Sequence, residues 1–310
     1  MRVASIDIGT NTLRLLILEA KLADRNERLY IGREITRLGE GFSDEFKIIN
    51  KNAIDRSVSV LSNFAKIIEK HNVDQVRAVA TSAVRESLNG TEFVERIIRD
   101  TGLPVEIITG EEEARLTVAG VMNSVTFSTP DCLIFDIGGG STEYVYVSEG
   151  TIKNVNSINL GVVSLTEQYL KNEIDTESDL LQLDNRIKLV LEEGLSDFLS
   201  PAENTGNLTI IGTAGTPTTL AAIEMRLDPY DPALVNNFNL TRHMITEILN
   251  SLAELPKPER IKIPGLEAGR EDLIIPGIMI TLETLERFSC DSMLVSDAGL
   301  LEGVAYNLIN

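Results

Sequence analysis

Ala4-Ser5-Ile6-Asp7-Ile8-Gly9-Thr10-Asn11-Thr12, near the N-terminus, and Leu133-Ile134-Phe135-Asp136-Ile137-Gly138-Gly139-Gly140-Ser141-Thr142-Glu143, in mid-chain, are the stretches that decide the fold. Each is a short apolar run, then Asp-Ile-Gly, then glycine or hydroxyl residues, then apolar residues again. The apolar runs read as strands and the small-residue clusters as tight turns between them. Glycine lets backbone approach a ligand closely, and successive N–H groups in such a turn form an anion-binding concavity to which Ser and Thr hydroxyls add donors. An Asp just before the turn suits a divalent cation, held directly or through water. A single turn of this kind is an ordinary hairpin. Two copies argue for a duplicated architecture in which both turns grip one phosphate chain and its metal.

Composition narrows the class. The chain has 310 residues, 43% apolar and 24% charged, which is globular and long enough for two domains. Trp is absent, so the core is built mainly of Ile, Leu and Val. No apolar run reaches membrane-spanning length, and Asp7 comes too early for a signal-peptide core. Cys132 and Cys290 read as buried small hydrophobes rather than a disulfide or metal pair, which suits a cytoplasmic protein. The formal charge of −19 argues against nucleic acid as a partner. It also means that a polyphosphate ligand is captured by local donors, a few arginines and a cation, not by the long-range field.

Along the chain, residues 3–8, 13–19 and 29–35 read as a β-meander, and 51–71 as a helix capped by Asn50 or Asn52. A strand at 76–80, a helix at 89–99, a strand at 105–108 and a helix at 111–122 follow. The second half repeats the theme, with strands at 132–136, 142–148 and 152–158 and helices at 163–170 and 177–198. A strand at 208–211 runs into Gly212-Thr213-Ala214-Gly215-Thr216, with Thr216 as cap of a helix opening at Pro217. Helices at 241–255 and 272–288, a strand at 292–296 and a helix at 300–308 close the chain. Pro256, Pro258, Pro264 and Gly265 mark a long mobile loop.

Four further groups have chemistry in them. The cluster Gly212, Thr213, Gly215 and Thr216 lies where an anion meets a helix N-terminus. Glu111-Glu112-Glu113 opens a helix, where acids are favoured for the dipole alone, but a carboxylate there also suits the base of phosphoanhydride hydrolysis. Arg85 follows a strand and reads either as a solvated helix start or as a planar fork for phosphate oxygens. Glu143 alternates with Thr142 and so points toward metal or water from the other strand face. His71 and His243 are isolated.

In order, Asp7-Ile8-Gly9-Thr10-Asn11-Thr12, Val79-Ala80-Thr81-Ser82-Ala83-Val84-Arg85, Glu112-Glu113-Ala114-Arg115, Asp136 to Glu143, Gly212 to Thr216 and Asp297-Ala298-Gly299-Leu300-Leu301-Glu302-Gly303 resemble the Ppx/GppA phosphatases. These are the exopolyphosphatase and guanosine pentaphosphate phosphohydrolase family. The resemblance implies an α/β fold of two ribonuclease-H-like domains around a central cleft, as in the actin, sugar kinase and heat-shock ATPase superfamily. Pro130 and the Ser/Thr cluster around it mark a boundary near residues 120–130, giving a first domain over 1–124, completed by the returning helix at about 298–310 that the resemblance implies, and a second over 125–297. By the same likeness Glu113 is the catalytic base, and Arg85 and Glu143 act beside it. Gly9, Thr10, Asn11, Thr12, Gly138, Gly139, Gly140, Ser141, Thr142, Gly212, Thr213, Gly215 and Thr216 bind phosphate. Asp7, Asp136 and Glu143 surround Mg²⁺, with Mn²⁺ as the alternative. The second turn then faces Glu113, so hydrolysis belongs on its side.

The expected activity is removal of terminal orthophosphate from inorganic polyphosphate, with conversion of pppGpp to ppGpp as the alternative. A kinase of the same fold or a non-catalytic nucleotide sensor stands further off. A homodimer is compatible with the resemblance. Longer family members continue into a His- and Asp-rich helical domain, whereas this sequence stops at Asn310 with two histidines and reads as the short, two-domain form.

Overall fold

The computed structural model describes residues 1–21, 26–42, 47–198 and 208–309. The chain forms two compact units, Met1–Gly120 with Gly299–Asn310, and Val121–Ala298.

The first unit is built on a sheet of β1 (Arg2–Ile8), β2 (Thr12–Glu19), β3 (Glu27–Ile35), β4 (Gln75–Ala80) and β5 (Val105–Ile107), in the order β3-β2-β1-β4-β5. The meander β1–β3 is antiparallel, and β4 and β5 run parallel to β1. Its helices are α1 (Lys51–Lys70), α2 (Ser82–Glu86), α3 (Gly90–Thr101) and α4 (Gly110–Met122). Strand alternation sorts the two faces. Ala4, Ile6 and Ile8 pack with Leu61 and Phe64 of α1 and Phe93 and Ile97 of α3. Val3 lies on the other face with Leu301 and Ala305 of the closing helix, Leu300–Ile309. Ser5 shares that second face, where its hydroxyl donates to the Leu301 carbonyl at 2.7 Å. Asp7 is the next residue in this series. Asn50 is the cap of α1, accepting from Ala53 N at 2.8 Å.

The closing Asp-x-Gly-x-x-Glu-Gly segment has a packing explanation in its second half. Glu302 accepts from Gly299 N at 3.0 Å and so caps the closing helix. A Cβ on Gly303 would lie 1.8 Å from the Leu116 carbonyl oxygen of α4, and one on Gly120 would lie 2.0 Å from the Gly299 oxygen. Backbone cannot yield as a side chain tip does. Gly303→Ala should therefore destabilise the first unit by about 1–3 kcal/mol through overpacking, read as a lower urea midpoint. An unchanged midpoint would show that the contact relaxes freely.

The second unit repeats the plan. Its strands are β6 (Asp131–Ile137), β7 (Thr142–Ser148), β8 (Thr151–Ile158), β9 (Thr209–Thr213), β10 (Asn239–Thr241) and β11 (Ser292–Val295). The sheet order is β10-β11-β9-β6-β7-β8. Thus β8-β7-β6-β9-β11 matches the five strands of the first sheet in order and direction, with β10 added antiparallel at the edge. Both sheets have the ribonuclease-H-like order expected. The helices are α5 (Val162–Tyr169), α6 (Glu177–Gly194), α7 (Gly215–Glu224), α8 (Pro232–Val235), α9 (Arg242–Ala253), α10 (Lys257–Arg260) and α11 (Ile274–Arg287). Their apolar faces meet Leu133, Phe135, Ile137 and Ile210 of the sheet. Tyr144 is fully buried, stacks on Phe135 and shares a 2.8 Å hydrogen bond with the Thr284 hydroxyl. Burial pushes the Cys132 thiol up to about 12, as befits an inert core cysteine. No helix among the described residues is long and apolar enough to cross a membrane.

Two local expectations are corrected, while Arg85, which follows a strand as expected, lies on the short helix α2. Thr216 does not cap α7: the helix starts at Gly215 after Ala214, whose φ is 65°. Thr216 packs instead beneath α11, where a Cβ on Gly277 would lie 2.2 Å from its Oγ1. The proline-marked segment holds the short α10, and Arg260 within it is fully buried. The short elements α8 and β10 are too brief for a periodicity to show.

Candidate active site

In the first unit, the turn between β1 and β2 is pinned by Gly9 N donating to Thr12 O at 3.1 Å. The loop after β3 packs on it: Thr36 N and Arg37 N donate to Asn11 O, and Gly39 N to Thr10 O, each at 3.0 Å. Carbonyls of the turn are thereby engaged, so what the turn offers a ligand is N–H. The Asn11 side-chain oxygen is a buried acceptor without a hydrogen-bond partner. Such a group calls for a donor, as water or a hydrated ion supplies. Asp7 is buried, and its Oδ2 accepts from Arg14 Nε at 3.0 Å and Nη2 at 2.7 Å.

The three glutamates that open α4 are distinguished by their partners. Thr109 caps the helix, its hydroxyl accepting from Glu112 N at 3.1 Å. Glu111 forms an exposed i,i+4 pair with Arg115. Glu112 accepts from Arg77 Nη2 of β4 at 2.6 Å. Glu113, only 8% exposed, accepts from Arg85 Nη1 at 2.9 Å, and the same nitrogen donates to Ile108 O at 3.1 Å. Successive helical residues point about 100° apart, so one of three adjacent acids turns inward. The Arg85 guanidinium thus holds the Glu113 carboxylate in a fixed orientation at the start of α4.

In the second unit, the turn between β6 and β7 closes with Gly138 N donating to Ser141 O at 2.9 Å. Val162 N and Val163 N of α5 donate to the carbonyls of Gly138 and Gly139. The close approach requires Gly161, where a Cβ would lie 2.3 Å from Gly139 O. Several hydroxyls expected to donate to phosphate point elsewhere. Thr142 donates to Leu160 O, Thr213 to Ala298 O at 2.9 Å, and Ser141 to Glu143 Oε1 at 2.7 Å. A hydroxyl has one proton to give, so these side chains spend theirs within the protein.

Ser157 also donates to Glu143 Oε1 at 2.7 Å, a partner that sequence reasoning missed because it comes from β8. Asp136 stands directly opposite Glu143 in the β6–β7 register, and both are buried. Like charges opposed across strands are destabilising, and a divalent cation relieves them. The corresponding pair in the first unit is Asp7 opposite Arg14, which neutralises itself. The two turns are thus duplicated in backbone but differ in the paired side chains, an acid with a base in one and two acids in the other.

A second missed residue is Arg270. Its guanidinium lies against the start of α7, where a Cβ on Gly215 would be 1.8 Å from Nη1, and its Nε donates to Glu267 at 3.0 Å. A glycine at the close approach was the only local signal, and its partner is distant in sequence. Among the described residues, no three His, Cys, Asp or Glu side chains converge as a metal site. Mg²⁺ is usually held by one or two carboxylates with water and substrate phosphate. The Asp136–Glu143 pair, two buried carboxylates side by side in the hairpin register, offers oxygen donors that fit that chemistry.

A model of the Ppx/GppA phosphatase family matches residues 27–310. The bifunctional 3-dehydroquinate synthase/phosphatase of Fusobacterium nucleatum is 34% identical over 97% of the chain, which spans only 46% of that protein. Exopolyphosphatase 2 of Mycobacterium tuberculosis is 33% identical over 99% of the chain and 98% of its own length. Guanosine-5'-triphosphate,3'-diphosphate pyrophosphatase of Aeromonas salmonicida is 26% identical over 99% of the chain and 59% of its length. The crystal structure of the Aquifex aeolicus Ppx/GppA family member has a TM-score of 0.82 at 37% identity, covering 100% of this chain and 97% of that one.

Proposed function

Because the chain belongs to the Ppx/GppA phosphatase family, we propose that it hydrolyses the terminal phosphoanhydride of inorganic polyphosphate and releases orthophosphate. The observation that carries the reading is the buried Glu113 held against Arg85 at the start of α4. Glu113 accepts a proton from water as its oxygen forms the new bond to the terminal phosphorus. The bridging P–O bond breaks, and its electron pair stays on the shortened chain. Arg85 is placed to bind equatorial oxygens of the transferred group, whose charge is what catalysis of this step must stabilise.

In the first unit the backbone N–H groups of the Gly9–Thr12 turn are phosphate donors; in the second, those of the Gly138–Ser141 turn and Arg270 at the start of α7 are. This local set works against the overall charge of −19. Asp136 and Glu143 would hold Mg²⁺, with Ser141 and Ser157 orienting Glu143; Asp7, paired with Arg14, would contribute through water. The ion supplies charge neutralisation at the phosphates.

The second substrate reading is pppGpp, favoured by the name of the Aeromonas relative. Both substrates present a terminal phosphoanhydride to the same groups. Phosphate release from purified polyphosphate and pppGpp, measured across Mg²⁺ and Mn²⁺ titrations, separates them. Faster turnover of polyphosphate is expected. Equal or faster turnover of pppGpp would reverse the order, and release that persists in excess chelator would remove the metal.

A further inference from the structure

Arg260 is the largest fully buried side chain among the described residues, and nothing in the reaction so far uses it. Burying a guanidinium costs several kcal/mol, and an apolar residue of similar volume often stabilises as well. What a guanidinium adds is direction. Arg260 Nε donates to Leu252 O at 3.0 Å, near the end of α9. Nη2 donates to the buried Asp175 carboxylate at 2.6 Å, which Lys257 also approaches at 3.4 Å. Nη1 donates to Glu271 O at 3.3 Å.

That last carbonyl is the neighbour of Arg270. Between α10 and α11 the backbone makes local turns: Leu266 N to Ile263 O, Arg270 N to Glu267 O, and Leu273 N to Arg270 O. Two side chains from outside this stretch that tether its backbone are Arg260, to Glu271 O, and Thr166, whose Oγ1 donates to Asp272 O at 3.1 Å. Leu266 and Leu273 anchor it by burial. A small displacement at Glu271 therefore moves Arg270 relative to Gly215.

We propose that Arg260, aimed by Asp175, is a positioning residue that sets the Arg270 guanidinium over the start of α7 for phosphate binding. The proposal rests on the reading of Arg270 as a phosphate ligand. It acts on substrate binding rather than on bond breaking.

The test is a double-mutant cycle of Arg260→Met and Arg270→Ala. It is read as KM and kcat on polyphosphate and as the Kd for inorganic tripolyphosphate in chelator, where no hydrolysis is needed. Arg260→Met should raise KM and Kd about tenfold, since a displacement near 1 Å is costly to a positioned group, with kcat within about twofold. Arg270→Ala should do at least as much. In the Arg270→Ala background, Arg260→Met should add nothing to either constant, although it still shifts the urea midpoint. A merely structural role would move the midpoint and multiply the two binding effects. Multiplying effects, or a fall in kcat at unchanged KM, overturns the proposal.

If Arg260→Met fails to fold, Asp175→Asn, which keeps volume and removes the charge aiming Arg260, runs through the same cycle. Wild-type protein that binds tripolyphosphate with the expected coupling but releases no phosphate overturns the proposed activity and leaves this inference standing. Release with multiplying effects overturns the inference alone. Protein that neither binds nor hydrolyses overturns both.

Discussion

Glu113→Gln should lower phosphate release by roughly 10²-fold or more, the scale at which a general base contributes. The substitution is close to isosteric. A glutamine oxygen still accepts from Arg85 Nη1, so the 2.9 Å contact and the first turn of α4 survive. What is lost is a group able to take the proton of water. The loss should therefore appear in kcat, with KM little changed. Glu111 and Glu112 provide controls within the same helical turn. Glu111 is exposed with Arg115 as its partner, and Glu112 is tied to Arg77. Their glutamine variants should keep activity within a few-fold. Unchanged release in Glu113→Gln, or an equal loss in Glu112→Gln, would take the base away from Glu113. A protein that binds the phosphate chain without ever releasing phosphate would be a sensor instead.

The turns were legible because they depend on local chemistry. An apolar strand, an Asp and a run of small residues recur at Asp7 and Asp136, and both sheets are organised around those strands. The cap at Asn50 was legible for the same reason, since its acceptor and donor lie three residues apart. The targets of hydroxyl groups were not. Thr142 finds Leu160, and Thr213 finds Ala298, through contacts that only the folded sheet creates. Arg270 was hidden for the same reason: its position over Gly215 follows from the packing of a segment that reads as a loop.

Asp7 and Arg14 occupy the same places in the first motif as Asp136 and Glu143 in the second. Hairpin registers set each pair side by side. Aligned residue by residue, one hairpin sets an acid beside a base and the other sets two acids side by side. That difference assigns unequal roles to a duplicated element.

Arg85→Ala should cost about 10²–10³ in kcat, the range seen when one preorganised donor to a developing charge is removed. Arg85 has two engagements within its own unit, Glu113 and the Ile108 carbonyl. These hold the guanidinium at the end of α2 and against the Glu113 carboxylate. An arriving phosphoryl group competes for the same fork and gains most as its equatorial oxygens take up charge. Removing the side chain therefore acts twice. It deletes a transition-state donor, and it leaves the buried Glu113 carboxylate without its cation. The two effects meet in one step, so Arg85→Ala combined with Glu113→Gln should lose much less than the product of the separate losses. Arg85→Lys tests whether charge alone suffices. A lysine ammonium is a point charge that cannot span a carboxylate, a carbonyl and a phosphate in one plane, so little activity should return. A rise in KM with kcat preserved, or full recovery with lysine, would make Arg85 a ground-state anchor and leave the transition-state charge to the turns and the cation.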